Sequence, residues 1–322
     1  RVEVMKKEQP QMMVTVIVRA YMREKFIRQA LDSVLAQQTT YPFEIIIGEN
    51  HSSDNTLQIC QEYADKYDNI ILLAHETNIG AARNLKACIE AGSGKYIMAC
   101  DGDDWWHNPN KIQLQVDFME EHPECMMCHT DNDEYYEETR RTVHDGKKSR
   151  GIVVPEGKGQ EEAFSGKGRV SWPTSCFRRD AFEKYMPMDE FIKLGMVGED
   201  YPTWVILAAY GELRYLPVST ATYRIGKQSV TQDVDYSRIL RRREGDKNTV
   251  KMLHSMFPSF GPYHEGEWFD IYYSHQLVLA AYRANDYKSA HRFAKEDKMP
   301  NWKTRMAYTW LTFMLARLLK GM

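Results

Sequence analysis

Residues 95–104 read KYIMACDGDD, in which an apolar run ends directly in three carboxylates, those of Asp101, Asp103 and Asp104. Similar apolar runs occur three times before it, and amphipathic stretches with helical spacing separate them. Strands are predicted at residues 14–18, 43–47, 70–73 and 95–100, and helices at 24–38, 54–67 and 80–91. Strands that alternate with helices predict an α/β fold with a mostly parallel central sheet. Such sheets bind ligands at the carboxyl ends of their strands, which is where these acids lie.

The second half of the chain is less regular than the first. Residues 134–168 are rich in Glu, Arg, Lys and Gly, which predicts exposed loops with one hairpin at most. Order returns near Val170, a helix is predicted after Asp200, and the pattern is helical from Tyr236 to the end. We therefore predict an α/β domain over residues 12–232 and a helical C-terminal extension over residues 233–322.

The composition is typical of a globular protein, since 43% of the 322 residues are hydrophobic and 27% are charged. The net charge of −3 provides no overall positive field, so nucleic acid is not an expected partner. Six cysteines in a chain of this length do not form a disulfide scaffold, and free thiols are typical of the cytoplasm.

Cys125 and Cys128 form a CxxC pair with His122 and His129 beside it, a pattern that would allow a zinc site. No second CxxC pair follows in the sequence. The run Cys125-Met-Met-Cys128 also fits an apolar strand, and we favour the strand.

The C-terminal residues 302–320 mix aromatic and aliphatic residues with Lys and Arg at helical spacing. The longest apolar stretch, residues 306–319, contains Arg317 and is shorter than the roughly 20 residues that a spanning helix needs. We predict a helix docked on its own domain, and the alternative is a helix that lies on a membrane surface. The first ten residues are too charged for a signal peptide. The expected location is cytoplasmic, with peripheral contact at the inner face of the membrane as the alternative.

Three carboxylates within four residues raise each other's pKa unless a cation lies among them. Their oxygen atoms suit Mg²⁺ or Mn²⁺ that is held jointly with a substrate phosphate. The alternative is an acidic turn that only caps the helix that follows it.

Six further segments agree with this interpretation in their order along the chain. They are VTVIVRAY at 14–21, ALDSVLAQ at 30–37, FEIIIGENHSSD at 43–54, NIGAARN at 78–84, GED at 198–200 and YR at 223–224. Together with DGDD they resemble family 2 of the glycosyltransferases, of the bacterial surface-polysaccharide type. The resemblance implies a GT-A fold, which is Rossmann-like. It also implies inverting transfer of a sugar from a nucleotide diphosphate, with UDP as the default, to a hydroxyl of a glycan or lipid-linked glycan acceptor.

The resemblance also implies roles for the residues that would bind the nucleotide sugar. Tyr21 would border the base, Glu49 and Asn50 would accept hydrogen bonds from it, and Asp101 with Gly102 would lie near the ribose. Arg83 would contact the base or the phosphates, although an Arg on a helix surface is the alternative. Two residues at the end of the first strand, Arg19 and Met22, depart from the family's pattern of Pro or Thr, any residue, and then Tyr-Asn.

The reaction itself would depend on a metal and a base. Asp103 is the expected direct ligand of Mn²⁺ or Mg²⁺, with Asp101 and Asp104 in support, and the metal would neutralise the leaving diphosphate. Asp200 of the Glu199-Asp200 pair would be the general base.

Three other residues belong to the loops that would enclose the substrates. Trp172 would stack on a sugar ring, and Arg224 belongs to a loop that closes over the diphosphate. Gly226 stands where the family usually has His. The pair Trp105-Trp106 is interpreted as packing or as acceptor contacts.

The sequence also bears on two rival functions. A non-catalytic nucleotide or glycan binder on the same fold is compatible with the departures at Arg19, Asn50 and Gly226. However, a binder has no need of a base such as Asp200. A nucleotidyltransferase usually carries a Gly-rich phosphate loop after the first strand, and residues 19–24 contain no glycine.

Overall fold

The computed structural model describes residues 12–152, 154–165, 170–196, 198–226, 235–264 and 268–296. The chain divides into two compact units. The first comprises the residues up to Met188 together with Thr203–Ile225, and the second comprises Asp189–Pro202 together with the residues from Gly226 onward. The boundary predicted at residues 232 and 233 falls in 227–234, outside the described residues. The segment with the predicted base, Asp200, belongs to the second unit.

Nine strands form one sheet among the described residues. They are β1 (Val14–Ala20), β2 (Phe43–Glu49), β3 (Ile70–Ala74), β4 (Tyr96–Ala99), β5 (Trp105–Trp106), β6 (Cys125–Tyr136), β7 (Arg141–Val143), β8 (Ser175–Arg178) and β9 (Glu212–Ile225). Their order across the sheet is β3-β2-β1-β4-β8-β6-β9-β5, and β7 pairs with β6.

The sheet is mostly parallel. Strands β3, β2, β1 and β4 are parallel to one another, as the sequence predicts. Strand β8 is antiparallel to both of its neighbours, so β6 runs in the same direction as β4, and β9 is parallel to β6. The expectation of a mostly parallel sheet is therefore confirmed, with β5, β7 and β8 as the antiparallel strands. Antiparallel partners need no helical crossover, so the alternating pattern that reveals the first four strands does not mark the later ones.

The helices α1–α3 and α8–α11 lie where the sequence predicts helices, and α4–α7 are additional. They are α1 (Ile27–Leu35), α2 (Thr56–Lys66), α3 (Ala81–Ala91), α4 (Lys111–Glu121), α5 (Gln160–Phe164), α6 (Arg179–Tyr185), α7 (Met188–Lys193), α8 (Asp200–Tyr210), α9 (Tyr236–Met256), α10 (Trp268–Arg283) and α11 (Tyr287–Glu296). The first unit's core is built from strands buried on both faces, as the adjacent Ile46 and Ile47 of β2 show, and from one face of α1, on which Ile27, Leu31 and Val34 are buried. Each such side chain contributes about 1.5–3 kcal/mol by leaving water.

The second unit has its own apolar cluster. Ile239 and Val250 of α9 pack in it with Leu277 and Ala281 of α10 and with Phe293 of α11. The predicted helical extension is thus helical where it is described.

Two other expectations concern the CxxC pair and the membrane. Cys125 and Cys128 lie buried in β6, where Cys128 is opposite Cys176 of β8, so the strand interpretation is confirmed. Among the helices that the structure describes, none combines the length and the apolar content that a membrane crossing requires. Residues 302–320 lie outside the described residues, so the docked helix, its membrane-surface alternative and the cytoplasmic location stay predictions.

Candidate functional site

The loops that follow β1 and β2 are joined side by side. Four hydrogen bonds connect them: Asn50 N–H to Ala20 O at 2.9 Å, Met22 N–H to Ser52 Oγ at 2.9 Å, Arg23 N–H to Thr56 Oγ1 at 2.7 Å, and Glu24 N–H to Asp54 Oδ2 at 3.2 Å. Tyr21 lies between the first two of these bonds and is 48% exposed. The predicted base-bordering residue is therefore exposed at the carboxyl end of β1.

Each of these two loops contains a residue in the left-handed region. The φ angle is 57° at Met22 and 63° at His51. Glycine, and less readily asparagine, adopts this conformation, whereas other residues are strained in it. Both Met22 and His51 therefore hold strained backbone at the ends of these strands.

Replacing the exposed His51 by glycine is expected to stabilise the protein by about 1 kcal/mol, because the Cβ strain disappears while part of the gain is lost to the flexibility of glycine. For a domain of this size the melting temperature should rise by about 2–4 °C. Alanine at the same position keeps the Cβ and serves as the control, which should show no such rise. Equal melting temperatures for the glycine and alanine variants would contradict the strain.

Glu49 and Asn50 are buried and hold the backbone of neighbouring loops. The Glu49 carboxylate accepts the N–H groups of His51 and Ser52 at 3.1 and 2.9 Å. Asn50 accepts the Ile79 N–H at 2.9 Å through Oδ1, and its Nδ2 donates to a neighbouring amide oxygen. Both residues therefore shape the end of β2 and tie it to the start of α3, and their contact with a nucleobase stays a prediction.

Arg83 and Asn84 are adjacent on α3 and have opposite surroundings. Arg83 is exposed, whereas Asn84 is buried and donates from Nδ2 to the Gly48 carbonyl at 2.8 Å. A Cβ at Gly48 would overlap the Asn84 side chain, so glycine permits this close approach of α3 to β2. Of these two residues, Arg83 is the one whose side chain is available to a ligand.

The acidic turn after β4 is paired with two arginines from the end of β1. Arg19 forms a two-point bond with Asp101, with both N···O distances at 2.8 Å. Arg23 pairs with Asp103 at 3.1 Å, and Asp104 is buried and accepts the Arg224 N–H at 2.9 Å. The structure therefore brings the carboxyl ends of β1, β2 and β4 together, as the sequence predicts. The pairing of these two arginines with the acids of the turn was not predicted from the sequence. The position of Arg19 at the end of a buried strand is a signal for such a pair, because a cation there needs a counter-charge.

The electrostatics of this turn bear on the expected metal. Burial raises the pKa of Asp103, and it raises that of Asp104 still more, with the charges of Asp103 and Asp101 adding to the rise at Asp104. Carboxylates held in this way gain from a nearby cation.

In the parts of the chain that the structure describes, no three metal-binding side chains lie close enough together to hold an ion by themselves. Mg²⁺ commonly binds one or two carboxylates and takes its remaining ligands from phosphates and water. The turn suits such a metal because the Asp103 side chain is 18% exposed, so its carboxylate is accessible to an ion.

Arg224 of β9 is fixed among aromatic rings. Its guanidinium carbon lies 4.4 Å from the ring centre of Phe26, 4.8 Å from that of Trp105 and 5.3 Å from that of Tyr135. The same group donates to the backbone oxygen of Asp103 at 2.8 Å. Arg224 thus braces the acidic turn, and its predicted contact with the diphosphate stays a prediction.

Trp172 is 5% exposed and packs on Phe177 and Trp204, with Arg19 placed 5.3 Å from its ring centre. Its indole N–H has no acceptor among the described residues. Stacking of Trp172 on a sugar therefore requires Arg19 to move, and this role also stays a prediction.

Glu199 and Asp200 lie in the second unit. Asp200 is the first residue of α8 and is partly exposed, and Glu199 is buried. A carboxylate at a helix start is favoured by the helix dipole.

Comparison with known proteins identifies relatives of this chain in sequence. Protein Rv1520 of Mycobacterium tuberculosis, described as uncharacterized, is 30% identical over 215 residues, which are 64% of this chain and 56% of the relative. The teichuronic acid biosynthesis glycosyltransferase TuaG of Bacillus subtilis, described as putative, is 33% identical over 109 residues, which are 34% of this chain and 42% of the relative. The chain thus spans about half the length of the curated relatives it matches.

Two solved structures share the fold. TarS of S. aureus in complex with UDP-GlcNAc has a TM-score of 0.51 at 18% identity and covers 89% of this chain and 88% of its own. A mannosyltransferase of Pyrobaculum calidifontis, in complex with GDP-Man and Mn²⁺, has a TM-score of 0.54 at 15% identity and covers 95% and 86%. These likenesses show a GT-A fold. The model of glycosyl transferase family 2 matches residues 15–186, more than half of the chain, and the chain therefore belongs to family 2 of the glycosyltransferases.

Proposed function

We propose that this protein is an inverting glycosyltransferase that moves a sugar from a nucleoside-diphosphate donor, with UDP-sugars as first candidates, to a hydroxyl of a glycan or lipid-linked glycan. The observation that carries the proposal is the turn Asp101–Asp104, which stands at the carboxyl end of β4 beside the ends of β1 and β2. Phosphate-bearing ligands of open α/β sheets bind at this place. The nucleotide sugars bound to TarS and to the mannosyltransferase support the donor class. The name of TuaG supports a surface polysaccharide as product.

In this proposal Asp200 accepts the proton of the acceptor hydroxyl while the oxygen attacks the anomeric carbon from the face opposite the diphosphate. The bond between the anomeric carbon and the phosphate oxygen breaks, and its electron pair leaves with the nucleoside diphosphate. One displacement inverts the configuration. Glu199, next to the base, has a supporting place at the start of the same helix.

The donor would be held by the loops of the first unit. Tyr21 borders the base, and Arg83 offers its guanidinium to base or phosphates. A divalent cation, Mn²⁺ or Mg²⁺, would be held by Asp103 with Asp101 and Asp104 in support, and it would supply Lewis-acid stabilisation of the leaving diphosphate.

The proposal is tested first by binding. Purified protein is titrated with UDP, GDP, UDP-GlcNAc, UDP-glucose and GDP-mannose, each with Mn²⁺ and with EDTA, and the melting temperature and the heat of binding are measured. One donor class at about 100 times its Kd should stabilise the protein by about 2.7 kcal/mol. Release of nucleoside diphosphate, slow alone and faster with a glycan acceptor, should follow. Absence of binding to every nucleotide contradicts the proposal, and tight binding without turnover favours the non-catalytic binder.

A further inference from the structure

Helix α9 of the second unit packs against residues 194–196 and 198–200, the base segment, which ends at Asp200. The side-chain amide of Asn248 donates to the Leu194 carbonyl at 3.2 Å. One turn earlier a Cβ at Gly245 would overlap the carbonyl of Gly195. Glycine inside a helix costs about 1 kcal/mol relative to alanine, so its presence here is explained by this close approach.

Asp246 extends the contact to the end of the base segment. Its carboxylate accepts the N–H of Gly198, which lies two residues before Asp200, and also the hydroxyl of Tyr273 from α10. Arg242 of α9 donates to the same Tyr273 oxygen at 3.0 Å. The base segment is therefore linked through one carboxylate to α9 and α10.

The surroundings of Asp246 are electrostatically unusual. The pKa of its carboxylate is raised to about 6, chiefly by loss of hydration and further by the charge of Asp200, while Tyr273, Arg242 and the Gly198 N–H offset part of the rise. A neutral amide at this position would avoid the cost of burying a charge. The presence of an acid therefore suggests that its charge has a function.

We propose that Asp246 is a positioning residue for Asp200: it fixes the backbone at Gly198, and its negative charge strengthens Asp200 as a proton acceptor. The inference rests on the proposed function, in which Asp200 is the base. It gives the C-terminal helices a role in the reaction, since α9 and α10 supply the groups that hold the base segment.

The first test needs no substrate. Hydrogen exchange, followed by mass spectrometry, is measured on a peptide that covers residues 194–204 in wild type, Asp246→Asn and Asp246→Ala. The alanine variant removes the acceptor of the Gly198 N–H, so exchange in this peptide should become roughly tenfold faster. Asparagine keeps an acceptor oxygen and should show a smaller change. Unchanged exchange in the alanine variant overturns the proposal.

The second test is the pH profile of sugar transfer with the donor that the binding screen selects. In Asp246→Asn the charge that faces Asp200 is gone, while Arg242 and Tyr273 remain. The apparent pKa of the base should therefore fall, and the acidic limb of the kcat profile should move to lower pH by roughly half a unit or more. The donor KM should stay near the wild-type value. A purely structural role would leave the limb in place, and that result also overturns the proposal.

Asp235→Asn is the matched control. Asp235 caps the start of the same helix by accepting the Arg238 N–H at 2.9 Å, and asparagine caps equally well. Neither exchange in the base segment nor the acidic limb should change. Full transfer by Asp200→Asn would instead remove the base assignment of the proposed function, so the two failures are distinguishable.

Discussion

Replacing Asp200 by asparagine is expected to reduce sugar transfer by about 10²–10⁴-fold while the donor still binds with nearly its wild-type affinity. Asparagine matches the size of the side chain, but it cannot accept the proton of the acceptor hydroxyl. The measurement pairs single-turnover transfer with calorimetric titration of the donor. The expected pattern is a fall in kcat without a matching rise in Kd.

The control for this variant is Asp189→Asn. Asp189 is an exposed acid in the first turn of α7, in the same unit, so the two substitutions have the same chemistry at similar helix positions. Transfer by the control should stay close to wild type. Strong residual transfer by the Asp200 variant would reject Asp200 as the base and leave the family assignment intact.

Replacing Asp103 by asparagine is expected to weaken metal-dependent donor binding by about 10²-fold, because the expected cation loses its anionic ligand. Donor titrations with Mn²⁺ and with EDTA separate the metal-dependent part of donor binding from the metal-independent part. In wild type, EDTA should weaken binding. In the variant, it should have little further effect.

An exposed carboxylate at the other end of the strands controls for net charge. Asp68 precedes β3 and is exposed, so Asp68→Asn removes one negative charge far from the acidic turn in sequence and at the amino end of a strand. Its donor affinity should respond to EDTA as in wild type. If wild-type binding is equally strong in EDTA, the metal assignment of Asp103 is wrong. The arginines that pair with Asp101 and Asp103 would then be the cations of this turn.

The first four strands could be predicted to within two residues because each is a short apolar run between helices with clear spacing. Buried parallel strands give this signal, since both of their faces are covered. Strand β9 was not predicted, although it pairs along much of its length with β6. Its residues mix polar and apolar types, and the pairing joins parts of the chain some 85 residues apart, which no local pattern encodes.

The sequence predicts at which strand ends the residues of the candidate site lie, but it does not predict which residues they pair with. The turn Asp101–Asp104 and the exposed Tyr21 lie where strand ends were expected. The partner of Asp101 is Arg19, 82 residues away, and this pairing depends on the order of β1 and β4 in the sheet. The Gly195 and Gly245 approach likewise becomes visible only when α9 is placed beside the base segment.

The four hydrogen bonds between the loops after β1 and β2 have a thermodynamic consequence for whatever ligand enters there. Each uses a backbone N–H, so the main chain of both loops is ordered before any ligand arrives. A preorganised wall loses little conformational entropy on association, and more of the contact energy remains as affinity. The same rigidity prevents the loops from reshaping around a poorly matching base, so selectivity at this place would come from excluding misfits rather than from closing on the correct ligand.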